Sequence, residues 1–248
     1  MSTTNTSNTT NTSNATAKAN QASPAAEPPL VRESPVVYGL TRLIARPLIW
    51  LLADLRTEGI EHIPTSGPVI LAMNHIHWMD IPLASLRVPR VTHYMAKIEL
   101  FSVPLLGGFM RLLGSFSVRR GESDREAIRM SERVLAAGKI LVIFPEGHRS
   151  GNGVLLEAHP GTGYIAMRTG APVVAVAISG TQRVFKAFRP KVTIRYSKPF
   201  TVAGGGKRTR GSVAQATDEI MYQLAALLPP EARGPYAGAE THLTPPQP

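Results

Sequence analysis

The sequence predicts an α/β fold: a single domain with a largely parallel central sheet flanked by helices, preceded by an N-terminal apolar and amphipathic helical segment. Three observations carry that expectation. The runs VILAM (69–73), KILVIF (139–144) and PVVAVAI (172–178) are almost unbroken apolar stretches, as expected of strands covered on both faces. Between them lie segments with apolar residues at helical spacing, clearest in SDREAIRMSERVLAA at 123–137. The 248-residue chain is 43% hydrophobic, enough for one substantial core once its polar ends are set aside.

Residues 1–30 are mostly Ser, Thr, Asn and Ala with interspersed Pro. They lack the apolar side chains that offset ordering entropy, so a disordered tail is expected, and no basic start leads into an apolar core as a secretory leader requires. Residues 31–57 are expected to form a membrane-associated helical segment built on VVYGLTRLIARPLIWLL (36–52), with Arg42 and Arg46 on one helical face. These arginines and Pro47 interrupt it, no apolar run approaches the ~20 residues of a bilayer span, and no transmembrane span is predicted. An interfacial helix, with Tyr38 and Trp50 at the headgroup boundary, and a helix packed on the core both fit.

The α/β domain is expected over 58–228. VILAM reads as a buried strand, and a helix begins at Asp80 and runs to Leu86. Strands follow at 92–96 and 115–118, separated by a helical stretch from Leu100 to Leu113 that Pro104 and Gly107-Gly108 make irregular. Ser123 and Glu126 stand at capping-box spacing before the amphipathic helix, and Gly138 follows its end. After the strand KILVIF come a helix from Thr162 to Thr169, the strands PVVAVAI and KVTIRY, and a closing helix from Ser212 to Leu228. Residues 229–248 are Pro- and Gly-rich and read as a second loose tail.

Composition also limits function. The chain has no cysteine, which removes disulfides, thiolate metal sites and cysteine nucleophiles. A formal net charge of +10 points to an anionic partner, but no zinc-finger spacing, RNP-like strand or continuous basic helix accompanies it, so a membrane surface is expected rather than nucleic acid.

Function in such sheets gathers where strands end. Three polar stretches stand there: NHIHWMD (74–80), GSFSVRR (114–120) and FPEGHRS (144–150). His75 and His77 lack HExxH spacing, so no metal is expected. His75 at the strand end and Asp80 in the first helical turn instead read as a catalytic base and its orienting acid. No GxSxG elbow or Walker loop occurs, and GTGYIA at 161–166 follows no convincing strand. A base without a protein nucleophile most simply activates a substrate hydroxyl.

These blocks together resemble the glycerophospholipid acyltransferase family that includes bacterial 1-acyl-sn-glycerol-3-phosphate acyltransferases. Asn74, His75 and Asp80 match its NHxxxxD (HX4D) block; Gly114, Phe116, Val118 and Arg120 match G-x-F-x-V-x-R; Phe144 to Ser150 match F-P-E-G-x-R-S; Pro172 to Val174 match P-V-V. The MAKIEL stretch, with Lys97, resembles the segment between the first two blocks. The resemblance covers about 59–197, with His148 standing where the family usually has Thr. It implies that His75 activates the sn-2 hydroxyl of 1-acylglycerol-3-phosphate (lysophosphatidic acid), which attacks acyl-CoA or acyl-carrier protein to give phosphatidic acid in phospholipid biosynthesis. Arg149, Arg120 and Lys97 suit the acceptor phosphate, Glu146 orders the cluster or binds the acceptor, Gly147 allows close backbone approach, and no cofactor is needed beyond the acyl-donor substrate. An apolar groove along Leu105, Leu106, Phe109 and Met110 is one place for an acyl chain. The expected location is the cytoplasmic face of the cell membrane, peripheral or interfacial. Alternatives are another lysophospholipid, glycerol-3-phosphate or a glycolipid as acceptor, a nonenzymatic basic membrane-binding module, and a metal hydrolase.

Overall fold

A computed structural model describes residues 33–118, 124–203 and 208–242. The expected tail 1–30 lies outside them. The first helix, α1 (Pro35–Leu52), starts where the Ser34 hydroxyl accepts the Val37 amide at 3.3 Å and Pro35 occupies the first turn, where its missing N–H costs nothing. The start of α1 is pinned by Glu33, whose carboxylate takes His93 Nε2 at 2.5 Å and Lys139 Nζ at 2.9 Å.

Seven strands follow: β1 (Asp54–Glu58), β2 (Val69–Met73), β3 (Thr92–Lys97), β4 (Ser115–Val118), β5 (Ile140–Ile143), β6 (Val173–Ser179) and β7 (Lys191–Tyr196). They form one sheet in the order β1-β7-β6-β2-β5-β3-β4. The five strands from β6 to β4 are parallel; β7 runs antiparallel to β6, and β1 is parallel to β7. Every residue of β2 is buried, which explains why VILAM shows no polar alternation. On one sheet face Val69, Leu71 and Met73 meet Ile49 of α1 and Leu83 of α2 (Asp80–Ser85). On the other, Ile70 and Ala72 meet α5 (Asp124–Ala136), α6 (Gly161–Thr169) and α7 (Arg210–Ala226) through Leu135, Ile165 and Ile220. The remaining short helices are α3 (Ile98–Phe101), α4 (Leu106–Leu112) and α8 (Ala239–His242).

Three expectations change. The helical segment expected over 31–57 stops at Leu52, and residues 54–58 form edge strand β1, paired with β7. DLRTE carries little strand pattern of its own; its state is set by a partner more than a hundred residues away. The single helix expected over 100–113 is two, because Pro104 interrupts it and Leu105 adopts φ 66° between α3 and α4. The tail expected to be loose from 229 is ordered as far as His242. Two 3-10 turns and α8 pack there, with Tyr236 and Ala239 buried against Leu155, Met221 and Leu224. Residues 243–248 lie outside the described part.

That C-terminal strap holds the segment that leads from β5 to α6. Leu155 N donates to Ala232 O at 2.9 Å, and Ala158 N to the Tyr236 hydroxyl at 3.1 Å, fixing the segment that follows the β5 loop. Tyr236→Ala is therefore expected to destabilise the protein by about 3–5 kcal/mol, the cost of removing a buried aromatic ring. Chemical denaturation would show this as a shifted midpoint, whereas a loose tail would leave the midpoint unchanged.

Candidate active site

Parallel pairing brings the C-terminal ends of β6, β2, β5, β3 and β4 to one edge of the sheet, so the loops after them converge. Asn74 governs the exit from β2. Its amide accepts Ile178 N at 2.7 Å and donates to Ile178 O at 2.9 Å, standing in for a peptide group and extending the β2–β6 ladder by one step. At 2% exposure this side chain positions the loop and is not available to a ligand.

Asp80 is fully buried at 0% exposure. Its Oδ2 accepts from His75 Nδ1 (2.9 Å), Ile76 N (2.7 Å) and His77 N (2.7 Å), and its Oδ1 from the Thr181 hydroxyl at 2.6 Å. A carboxylate oxygen accepts, so in the contact with Asp80 His75 donates from Nδ1 and turns Nε2 away from it. Nε2 has no hydrogen-bond partner among the described residues, and the side chain is 15% exposed. Phe144 stacks on the imidazole at 4.1 Å between centroids, fixing its plane.

The β5 loop locks onto this one. Glu146, 1% exposed, accepts His75 N at 2.7 Å on one carboxylate oxygen and Leu156 N at 2.9 Å on the other. Burial pushes its carboxyl above the usual range, and the two amides offset only part of this. Ser150 N returns to His75 O at 2.8 Å, so His75 is held on both sides of its backbone by the same loop. Gly147 adopts φ 70°, and a Cβ there would stand 2.7 Å from His159 Cδ2. Its lack of a side chain serves the turn and the packing of His159.

Of the three cations expected to meet a phosphate, Arg149 is exposed in this loop and makes no ion pair among the described residues. Lys97 ends β3 at the same sheet edge, and Arg120 lies outside the described residues. His77 reports a local positive field. Burial pushes its imidazole down, Asp80 opposes this, and Arg149 and Lys186 lower it further. Its Nδ1 faces Met79 N at 3.4 Å, not Asp80. Lys186 and Thr181 were not found from sequence; only the position of Thr181 just past the strand PVVAVAIS offered a cue.

The apolar groove expected along α4 is an exposed surface, with Leu105 at 92% and Phe109 at 43%. A cavity of about 490 Å³ lies against α1, and a larger one, about 690 Å³, is lined by Met95, Ile128, Phe144, Tyr164 and Val213, with Arg208 and Arg210 also in its wall. Phe144 thus touches both the larger cavity and the His75 ring.

Comparison with known proteins points to one family. A family model described as Acyltransferase matches residues 54–179. A 1-acyl-sn-glycerol-3-phosphate acyltransferase of Bacillus subtilis is 31% identical over 151 residues, covering 59% of this chain and 75% of that protein. A lyso-ornithine lipid O-acyltransferase of Pseudomonas aeruginosa is 33% identical over 147 residues, covering 56% of each. The crystal structure of the 1-acyl-sn-glycerophosphate (LPA) acyltransferase PlsC from Thermotoga maritima superposes with a TM-score of 0.57 at 28% identity, over 74% of this chain and 76% of that one.

Two sets of variants test the loop architecture. In Asp80→Asn the amide oxygen can keep the Oδ2 contacts while its NH2 donates to Thr181, whose hydroxyl reverses to accept. This variant is expected to melt near the wild type while losing on the order of a thousandfold or more in turnover, because the imidazolium loses its counter-charge. Adding Thr181→Val strands the amide N–H and is expected to cost a further 1–3 kcal/mol or so in a double-mutant stability cycle. Gly147→Ala, strained by backbone and by His159, is expected to lose about 1–2 kcal/mol or more of stability in thermal melts.

Proposed function

The chain belongs to the acyltransferase family, and we propose that it transfers a fatty acyl group from acyl-CoA or acyl-carrier protein to the sn-2 hydroxyl of 1-acylglycerol-3-phosphate, giving phosphatidic acid. The observation that carries the reading is His75. Its Nδ1 is committed to buried Asp80, while its Nε2 meets no serine or threonine hydroxyl among the described residues, and the sequence has no cysteine.

Nε2 takes the proton of the acceptor hydroxyl as that oxygen attacks the thioester carbonyl carbon. The tetrahedral intermediate collapses with cleavage of the C–S bond, and the departing thiolate receives the same proton from His75. Asp80 stabilises the imidazolium between these steps. Glu146 serves as a positioning residue, since both its oxygens are occupied by backbone amides. No step needs a metal or bound cofactor.

Arg149 supports a phosphate-bearing acceptor because it is an exposed guanidinium, without an ion pair among the described residues, on the loop that clasps His75, with Lys186 adding to the positive field. Lys97 and Arg120 are proposed to join it. The Pseudomonas relative favours a second reading, a different lysolipid as acceptor, for which these cations would matter less.

Membrane contact is proposed as peripheral. By length and composition α1 could cross a bilayer, with a mean hydropathy of 1.3. Yet Tyr38 and Ile49 are packed in the protein, while Leu40, Leu43, Ile44, Leu48 and Leu51 are exposed. A helix held along the sheet with its outer face apolar fits the plane of the interface. The cytoplasmic face, which holds the acyl thioesters, is the proposed side.

His75→Ala is expected to abolish acyl transfer in a folded protein, measured with labelled acyl donor and a panel of lysolipids. Arg149→Lys keeps the charge but loses the two-pronged contact; a drop of about ten- to a hundredfold in kcat/KM is expected for 1-acylglycerol-3-phosphate. Monoacylglycerol turnover should hardly change. Equal losses on both acceptors would remove the phosphate reading and leave the acyl transfer standing.

A further inference from the structure

Away from His75, the cavity of about 490 Å³ lies between α1, the start of β1, the end of α2 and the loop before β7. Three arginines line it: Arg46, Arg87 and Arg189. Among the described residues none of them pairs with a carboxylate. Asp54 also lines the cavity, but its Oδ2 lies 3.8 Å from Arg56 Nε. Ile49, Trp50, Leu55 and Leu86 supply apolar walls.

Arg189 is held there at some cost. It adopts φ 44°, its guanidinium lies over the Trp50 ring at 4.4 Å, and its Nε is buried with no hydrogen-bond partner. A left-handed non-glycine residue carrying an unpaired charged donor is kept where something compensates for it. Three guanidinium groups that pair with no carboxylate among the described residues, Arg46 and Arg87 exposed and Arg189 stacked on Trp50, surround one apolar-walled space and outnumber the single Asp54 carboxylate in its wall, which makes a site for an anion.

Position indicates which anion. Asp54 pairs with Lys191, and Thr193 with Ser179, so this end of β1 and β7 lies at the sheet edge that carries the catalytic loops. From β1 to β2 is three strand steps, about 14 Å. The loop before β7 bridges the two places, with Arg189 at the cavity and Phe185 stacked on Trp78 of the β2 loop at 5.8 Å. Exposed Leu48, Leu51 and Phe188 belong to the elements that form the cavity.

We propose that this cavity is a second lipid site, in which Arg46, Arg87 and Arg189 hold the phosphate of an anionic membrane phospholipid that is not being acylated, thereby docking the catalytic edge on the bilayer. The proposal rests on the membrane-facing reading of α1 but not on the choice of acceptor.

The test uses the full chain and flotation with phosphatidylcholine vesicles, with or without phosphatidylglycerol. The variants are Arg46→Gln, Arg87→Gln, Arg189→Lys and, as a surface control, Arg183→Gln. Diffuse attraction loses roughly fivefold in partition per arginine removed and nothing when charge is kept. The site predicts about tenfold or greater losses for Arg46→Gln and Arg87→Gln, and a comparable loss for Arg189→Lys, all confined to phosphatidylglycerol vesicles. Turnover of detergent-dispersed 1-acylglycerol-3-phosphate should be unchanged in these variants.

Wild-type partition for Arg189→Lys, with the two glutamine variants no worse than the control, would reduce the effect to diffuse charge and overturn the proposal. So would equal losses on pure phosphatidylcholine, or a parallel loss of turnover, which would assign the arginines to folding or to the catalytic site. Inorganic phosphate that removes the vesicle preference at constant ionic strength would identify a free-anion site instead. A chain that acylates none of the lysolipids but shows this pattern would keep the second site and discard the acceptor assignment.

Discussion

A single buried carboxylate ties the catalytic edge together. Asp80 has no solvent to stabilise its charge, so four protein donors must do so, and they come from two separate loops: His75, Ile76 and His77 after β2, and Thr181 after β6. Removing any one leaves part of a buried charge uncompensated, which is why the loops have little freedom to drift apart. The same arrangement fixes the His75 tautomer. The fold of the two loops and the proposed role of His75 rest on one set of hydrogen bonds.

Glu146 repeats the device one strand away. It joins the β2 loop through His75 N and the later segment through Leu156 N, and that segment is in turn held by the C-terminal strap through Ala232 and Tyr236. The polypeptide end thus supports a loop that reaches His75 at second hand. Asn74 completes the set by replacing a backbone rung with its own amide. Three polar side chains, all nearly sealed from water, hold the His75 segment while the Nε2 of its ring has no hydrogen-bond partner among the described residues.

Charge and apolar surface are arranged around that edge with different purposes. Arg149 and Lys186 raise the positive potential beside His77, close to the reacting groups. Arg46, Arg87 and Arg189 gather about three strands away, under the end of α1. Exposed Trp78, Phe185 and Phe188 lie on the loops around the two groups, and α1 exposes most of its leucines. A net charge of +10 is therefore partly resolved into two local clusters, each beside apolar side chains suited to a lipid surface.

The sequence by itself determined the layered α/β class and singled out His75 and Asp80, which the structure brings together. Unbroken apolar runs report strands covered on both faces, and the four residues between His75 and Asp80 are few enough for local spacing to suggest that the two side chains meet. Its limits have a common cause. Thr181 meets Asp80 from 101 residues away, β1 owes its state to β7, and the strap is ordered by Leu155 and Met221, apolar partners supplied by distant elements. Likewise Arg46, Arg87 and Arg189 are ordinary surface arginines in sequence, and Leu105 to Met110 could as well have lined a groove. Only the crossovers of the parallel sheet decide which of these residues share a space, because strand order is set by packing between elements and leaves no mark in local periodicity.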